Sequence, residues 1–140
     1  MTVTANSIIT PQKALTFTAV ATAAETAFNS PTNVVTLIDE TVVGNNDNGV
    51  RITSLSAIAR AAVATACNCQ LYRKQGSSYT LIASVVMAIG TPSASVANQI
   101  ADFGFSDDSP LILAPGVGLA VAICQAIANG VVFRAGGGAY

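Results

Sequence analysis

The chain has no histidine, no tryptophan and very little charge: only 9% of its 140 residues are Asp, Glu, Lys or Arg. Without histidine a Ser-His-Asp or Cys-His catalytic unit cannot be assembled within one chain. Zinc usually takes four Cys or His ligands, and three cysteines are all the sequence offers. The scarcity of charge matters as much, because an ordinary soluble domain carries about 25% charged residues. With a net charge of −1 and acids and bases thinly spread, there is no basic stripe to neutralise phosphates, so no nucleic-acid partner is expected. No tryptophan and three tyrosines leave few aromatics for a carbohydrate- or receptor-binding platform, which is the weaker of the binding readings.

What is present is apolar and small. Hydrophobic residues make up 51% of the chain, and its polar surface must come from Thr, Ser, Asn and Gln. A surface so poor in charge is weakly defended against association. It suits a compact, unusually apolar monomer or, as the favoured reading, a subunit whose faces are covered by copies of itself or by a scaffold.

Two stretches imitate targeting or membrane signals. "KALTFTAVATAAE" has a lysine, an apolar stretch and an Ala21-Thr22-Ala23 triplet, but Thr16, Thr18 and Thr22 interrupt it, so it is not expected to act as a signal peptide. Residues 111–133 are long enough to span a bilayer. Pro115, three glycines, Gln125 and Asn129 stand against that, as does a two-residue period, and no membrane partner is expected.

That period dominates the chain. Leu15, Phe17 and Ala19 alternate with Thr16, Thr18 and Val20, and "NVVTLID" and "VRITSLSAIA" are β-branched runs between turn clusters such as "GNNDNG". In "GVGLAVAICQAIANG" the large side chains Val117, Leu119, Val121 and Ile123 alternate with Gly118, Ala120, Ala122 and Cys124. A strand with one face in a core and the other pressed close against something reads this way. "GVVFRAGGG" after Asn129-Gly130 then reads as its return strand in a tight hairpin. "CQLYR" and "YTLIASVVM" form two strands joined through "KQGSS", and "SPLILAPG" is a short strand entering a turn. In the long connection between these, "ASVANQIADF" could hold a helical turn, and "AIARAAVATA" is helical by propensity although it lies between strands. The expectation is an all-β fold, an antiparallel sandwich or jelly roll of about eight short strands over residues 13–140. Ahead of it, residues 1–12 are uncharged up to Pro11 and are expected to be an extended arm. Thr2, Val3, Thr4, Ile8 and Ile9 are candidate inter-subunit contacts by strand addition to a neighbour, or a first strand of the same subunit.

Cys67 and Cys69, at i and i+2 of a strand, point to one face, with Cys124 elsewhere. No Cys-x-x-Cys spacing occurs, and neighbours on one strand are poorly placed to bridge each other. The three are candidate packing thiols, with a disulfide through Cys124 as the alternative. Asp107-Asp108 sits in a Ser/Pro turn, and "APGVG" and "AGGGA" match no phosphate-cradling loop. No catalytic, cofactor-binding or metal-ligating set is found, and no small-molecule substrate is expected.

The runs "LYRKQGSSYTLIASVVM", "DFGFSDDSPLILAPGVGLAVAI" and "GVVFRAGGGAY" resemble a group of small tailed-bacteriophage virion structural proteins. There a Leu-Tyr strand leads through a polar turn to Tyr-x-Leu-Ile, and "TDFGYS...PLRLxPG" precedes a Gly-rich aromatic end. The stretches Asp102 to Ser106 and Pro110 to Gly116 stand in the latter places, and the resemblance covers residues 50–140; the three cysteines depart from it. It implies a β-sandwich virion subunit of the head decoration (cement) type, with a tail, baseplate or fibre component as the alternative. The expected partners are the chain itself, as a trimer or another cyclic oligomer, and the major capsid protein. Its place would be the phage head surface, after synthesis in the bacterial host cytoplasm.

Overall fold

In a computed structural model that describes residues 11–140, nine strands form two antiparallel sheets packed as a sandwich. The strands are β1 (Lys13–Ala21), β2 (Val35–Ile38), β3 (Val50–Ala59), β4 (Cys67–Gln75), β5 (Ser78–Met87), β6 (Ile100–Asp102), β7 (Leu111–Leu113), β8 (Gly118–Ile123) and β9 (Val131–Ala139). Sheet I has the order β1-β9-β3-β6, with β7 also paired to β3; sheet II has the order β2-β8-β4-β5. The pairs β1–β9, β2–β8, β3–β6 and β4–β5 are all antiparallel. They nest like rungs of one long hairpin whose apex is the β4–β5 turn. Folding that hairpin over brings β9 against β3 and β8 against β4, which completes both sheets.

The core lies between the sheets and is filled by alternate residues of each strand. From sheet I come Ala19, Ile52, Leu55, Ala57, Phe133 and Ala135; from sheet II come Cys69, Leu71, Leu119, Val121 and Ile123. Each is nine-tenths or more buried, which at about 25 cal/mol per Å² is what holds the two sheets together. Phe103, just after β6, closes one side against Phe133, ring centroids 6.3 Å apart.

Several expectations change. Among the described residues there are nine strands rather than about eight, because β6 lies inside the Ser/Ala/Asn-rich connection. The segment expected to hold a helical turn instead makes a tight turn bridged by Ser93 and Val96, then β6. The helix-prone "AIARAAVATA" is the end of β3 and an irregular link to β4. The hairpin expected between "GVGLAVAIC" and "GVVFRAGGG" does not form: β8 belongs to sheet II and β9 to sheet I. Asn129 and Gly130 do take the left-handed conformation of a turn, at φ 61° and 78°. That turn redirects the chain across the sandwich, and β9 finds its partners in β1 and β3. The bilayer-length stretch 111–133 is cut into β7, β8 and the start of β9, and no helix among the described residues is long and apolar enough to cross a membrane. The candidate arm residues Thr2, Val3, Thr4, Ile8 and Ile9 lie outside the described residues. Of the expected arm, Gln12 already joins the sheet, its N–H donating to Ala139 O at 2.7 Å.

Candidate interaction surfaces

The two outer faces of the sandwich differ, and the difference begins with the small residues of β8. Gly118, Ala120 and Ala122 point away from the core, yet all are buried, because the chain between β1 and β3 lies over them. Tyr72 of β4 packs on Ala120 and Ala122 beneath Val34, with Tyr79 alongside. Gly118 has no side chain because Ile38 O and the Glu40 carboxylate occupy that space.

Polar groups pin this covering strap. Glu25 is 4% exposed and its carboxylate accepts backbone N–H bonds from Ala27 at 3.2 Å, Asn33 at 2.7 Å and Thr32. Burial pushes the Glu25 carboxyl up, but those N–H donors outweigh it and hold it below the ordinary value. Beneath, Gln70 of β4 is fully buried and donates to Glu25 O at 3.0 Å and to Cys124 Sγ at 2.9 Å, while Tyr72 donates to Gln70 Oε1. Burial, with Glu25 and Cys124 nearby, pushes the Tyr72 phenol up to about 12. At the other end Lys74 Nζ meets Glu40 Oε2 at 2.9 Å and Oε1 at 3.1 Å, with side chains only 9% and 6% exposed. The N–H of Gly76 also donates to Glu40, at 2.8 Å. Here too burial raises the carboxyl and hydrogen bonds from Lys74 and Gly76 more than reverse it. A third anchor is Asn46, 2% exposed, which donates to Ala114 O at 2.8 Å and Val117 O at 2.7 Å and accepts from Gly49 N at 2.9 Å. The resemblance motifs are thus joints: Gly104 and Gly116 take φ of 86° and 77°, Asp102 Oδ1 caps Gly104 N at 2.8 Å, and "LAPGV" receives Asn46.

The thiols divide between the faces. Cys67 and Cys69 are fully buried in the core, whereas Cys124 is half-buried on the other face of sheet II beside Gln70. All three are free thiols, and the sheet itself separates Cys124 from the other two. The hydrogen bond that the Cys69 thiol donates to the Cys67 side chain, reinforced by burial, pushes Cys69 far up, and burial raises Cys124. Among the described residues no three His, Cys, Asp or Glu converge as a metal site requires.

Sheet I has no such cover among the described residues. Its outer face carries Thr16, Thr18 and Val20 of β1, Val132 and Arg134 of β9, Ser54, Ser56 and Ile58 of β3, and Ile100 and Asp102 of β6. A shallow trough of about 540 Å³ runs over Gly136–Gly138. Lys13, Thr16 and Ser54 line it, as do Arg51 and Asp107, joined at 3.6 Å, and no aromatic ring does. A second bare feature is β5, an edge strand with no charged residue and with Val86 64% exposed.

No protein-family model matches the chain, and no curated protein is similar enough in sequence to count as a relative.

Proposed function

We propose that this chain is a non-enzymatic structural subunit of a tailed-bacteriophage particle, a head decoration protein that binds the capsid lattice and stabilises it. The observation that carries the reading is the asymmetry of the sandwich. One outer face is sealed by the chain's own strap through buried polar anchors; the other is uncovered among the described residues, a face of Thr, Ser, Val and Ile whose few charges are of both signs. A surface of that kind serves adhesion to a repeated partner, where many weak contacts add along a lattice.

Two further features support it. The resemblance in residues 50–140 falls on turns and strand joints, the parts that shape a scaffold, and not on groups that do chemistry. The strand order β1-β9-β3-β6 over β2-β8-β4-β5 supports reading the sandwich as a jelly roll, two Greek keys wound together, an architecture that recurs in viral capsid domains. The partners under this reading are other copies of the chain, arranged as a trimer or another cyclic oligomer, and the major capsid protein at the head surface. Synthesis takes place in the host cytoplasm. The test is copy number in purified virions, by quantitative mass spectrometry against the major capsid protein. A ratio of order one is expected. A few per cent or less moves the chain to the tail, baseplate or fibre, and absence from the particle overturns a virion role.

A further inference from the structure

We propose that the outer face of sheet I binds a second copy of this chain, face to face, about a two-fold axis running along β3. The argument comes from register. Across four strands Val20 stands beside Val132, Val132 beside Ile58, and Ile58 beside Ile100. These four outward side chains make one apolar row, with Ile100 60% and Val20 37% exposed. In the next row Thr18, Arg134, Ser56 and Asp102 stand side by side in the same way. Arg134 and Asp102 are its only charges, one strand to either side of β3, and both are exposed.

That spacing is self-complementary. A two-fold axis along β3 exchanges the positions over β9 and β6, so Arg134 of each copy falls opposite Asp102 of the other. The same operation sets Val132 against Ile100 and places Ile58 on the axis against its own copy. An isologous contact must match itself in this manner, and two sheets pack with strands aligned within about 30°. Beyond the two central rows the face narrows to Thr16, Gly136 and Ser54 in register, small groups that let the sheets approach. About this axis β9, β3 and β6 of one copy face β6, β3 and β9 of the other, and three strands about 4.8 Å apart and at most about 30 Å long bury no more than about 900 Å² in total over both copies, in the range of weak, transient contacts. The dimer is accordingly expected at micromolar concentrations. The dimer uses the same face that the virion reading gives to the lattice, so it is the form of the free protein; the inference stands on register and charge alone, and a copy number that removed the chain from the phage head would leave it untouched.

Sedimentation velocity of the full chain from about 1 to 200 µM tests it. The wild type is expected to pass from monomer to dimer in this range and to shift toward monomer in high salt. Arg134→Asp and Asp102→Arg each place like charges opposite one another and are expected to raise the dimer Kd about tenfold or more. An equimolar mixture of the two variants restores both opposite-charge contacts, so heterodimer is expected where neither variant alone self-associates. Both side chains are exposed, and unchanged circular dichroism confirms that the variants fold. A wild type still monomeric at the top concentration overturns the proposal. So does a dimer that ignores both substitutions, or a mixture no more associated than its parts.

Discussion

Gly118 of β8 and Glu40 after β2 occupy one space: a Cβ on Gly118 would overlap both the Glu40 carboxylate and Ile38 O. Gly118→Ala therefore forces a backbone carbonyl and a buried ion pair apart. The expected loss is about 2–3 kcal/mol, read as a lower urea midpoint at unchanged slope. A midpoint equal to wild type would mean that the strap is not seated on β8.

The Lys74–Glu40 pair makes a second prediction from the same corner. Lys74→Met leaves Glu40 buried with the Gly76 N–H but no cation, and a loss of about 3 kcal/mol is expected. Adding Glu40→Gln removes the stranded charge while keeping an acceptor for Gly76. The double variant should be more stable than the single one, and additive losses would show that the two side chains do not interact.

Acid should loosen the strap. Glu25 and Glu40 both have folded-state carboxyls below their ordinary values. Their contribution is therefore fully present above the unfolded carboxylate value, about 4.3. It disappears as pH falls through the lower folded values, where the native state must also take up protons. Urea midpoints from pH 7 to 2.5 should fall steeply below about pH 4.5, and Glu25→Gln should be less stable at pH 7 with a shallower acid slope. An acid slope unchanged in that variant would exclude Glu25 as its source.

The thiols should react in an order set by the sheet. Cys124 alone is half-buried, so native labelling by iodoacetamide is expected there first, with Cys67 and Cys69 protected until unfolding. Cys67→Ser and Cys69→Ser each put a hydroxyl into the apolar core, at about 1–3 kcal/mol, whereas Cys124→Ser should cost less than 1 kcal/mol or so because it keeps an acceptor for Gln70. Reductant-sensitive covalent oligomers on a gel would show that Cys124 bridges subunits.

Asn46 fixes the loop "GNNDNG" to the β7–β8 turn with its side-chain amide. Asn46→Ala strands the Val117 carbonyl and the Gly49 N–H and leaves Ala114 O with the Val117 N–H alone, and about 2–3 kcal/mol is the expected loss in chemical unfolding. A change under about 0.5 kcal/mol would show that water replaces all three bonds.

Much of the fold was legible because strands in this chain are long runs of strict alternation. The large–small pattern from Val117 to Cys124 even announced that both faces of β8 would be covered. What covers it was not legible: the strap is organised by Glu25 gathering backbone N–H groups, and one glutamate among threonines and alanines carries no periodic signal. The three residues of β6 are too few to show alternation. The mispaired β8 and β9 failed for another reason. Asn129-Gly130 does encode a turn, but a turn signal fixes the local bend of the chain, and partner choice is made by the core, where Phe133 and Ala135 must face sheet II. The self-matching charges of sheet I needed register, since Asp102 and Arg134 lie far apart in sequence.

The nesting of the strands also sets the order in which the molecule can be built. The β4–β5 hairpin closes through a turn of a few residues, whereas β1 meets β9 only by joining nearly the two ends of the domain, Lys13 opposite Ala139. Loop closure of that length is entropically expensive and slow to nucleate. Until β9 is laid between β1 and β3, both of those strands expose an unpaired rim to any neighbouring chain. A crowded cell filled with many copies of one subunit is where such a delay matters most, and exchange of β1 between copies is the misassembly this topology invites.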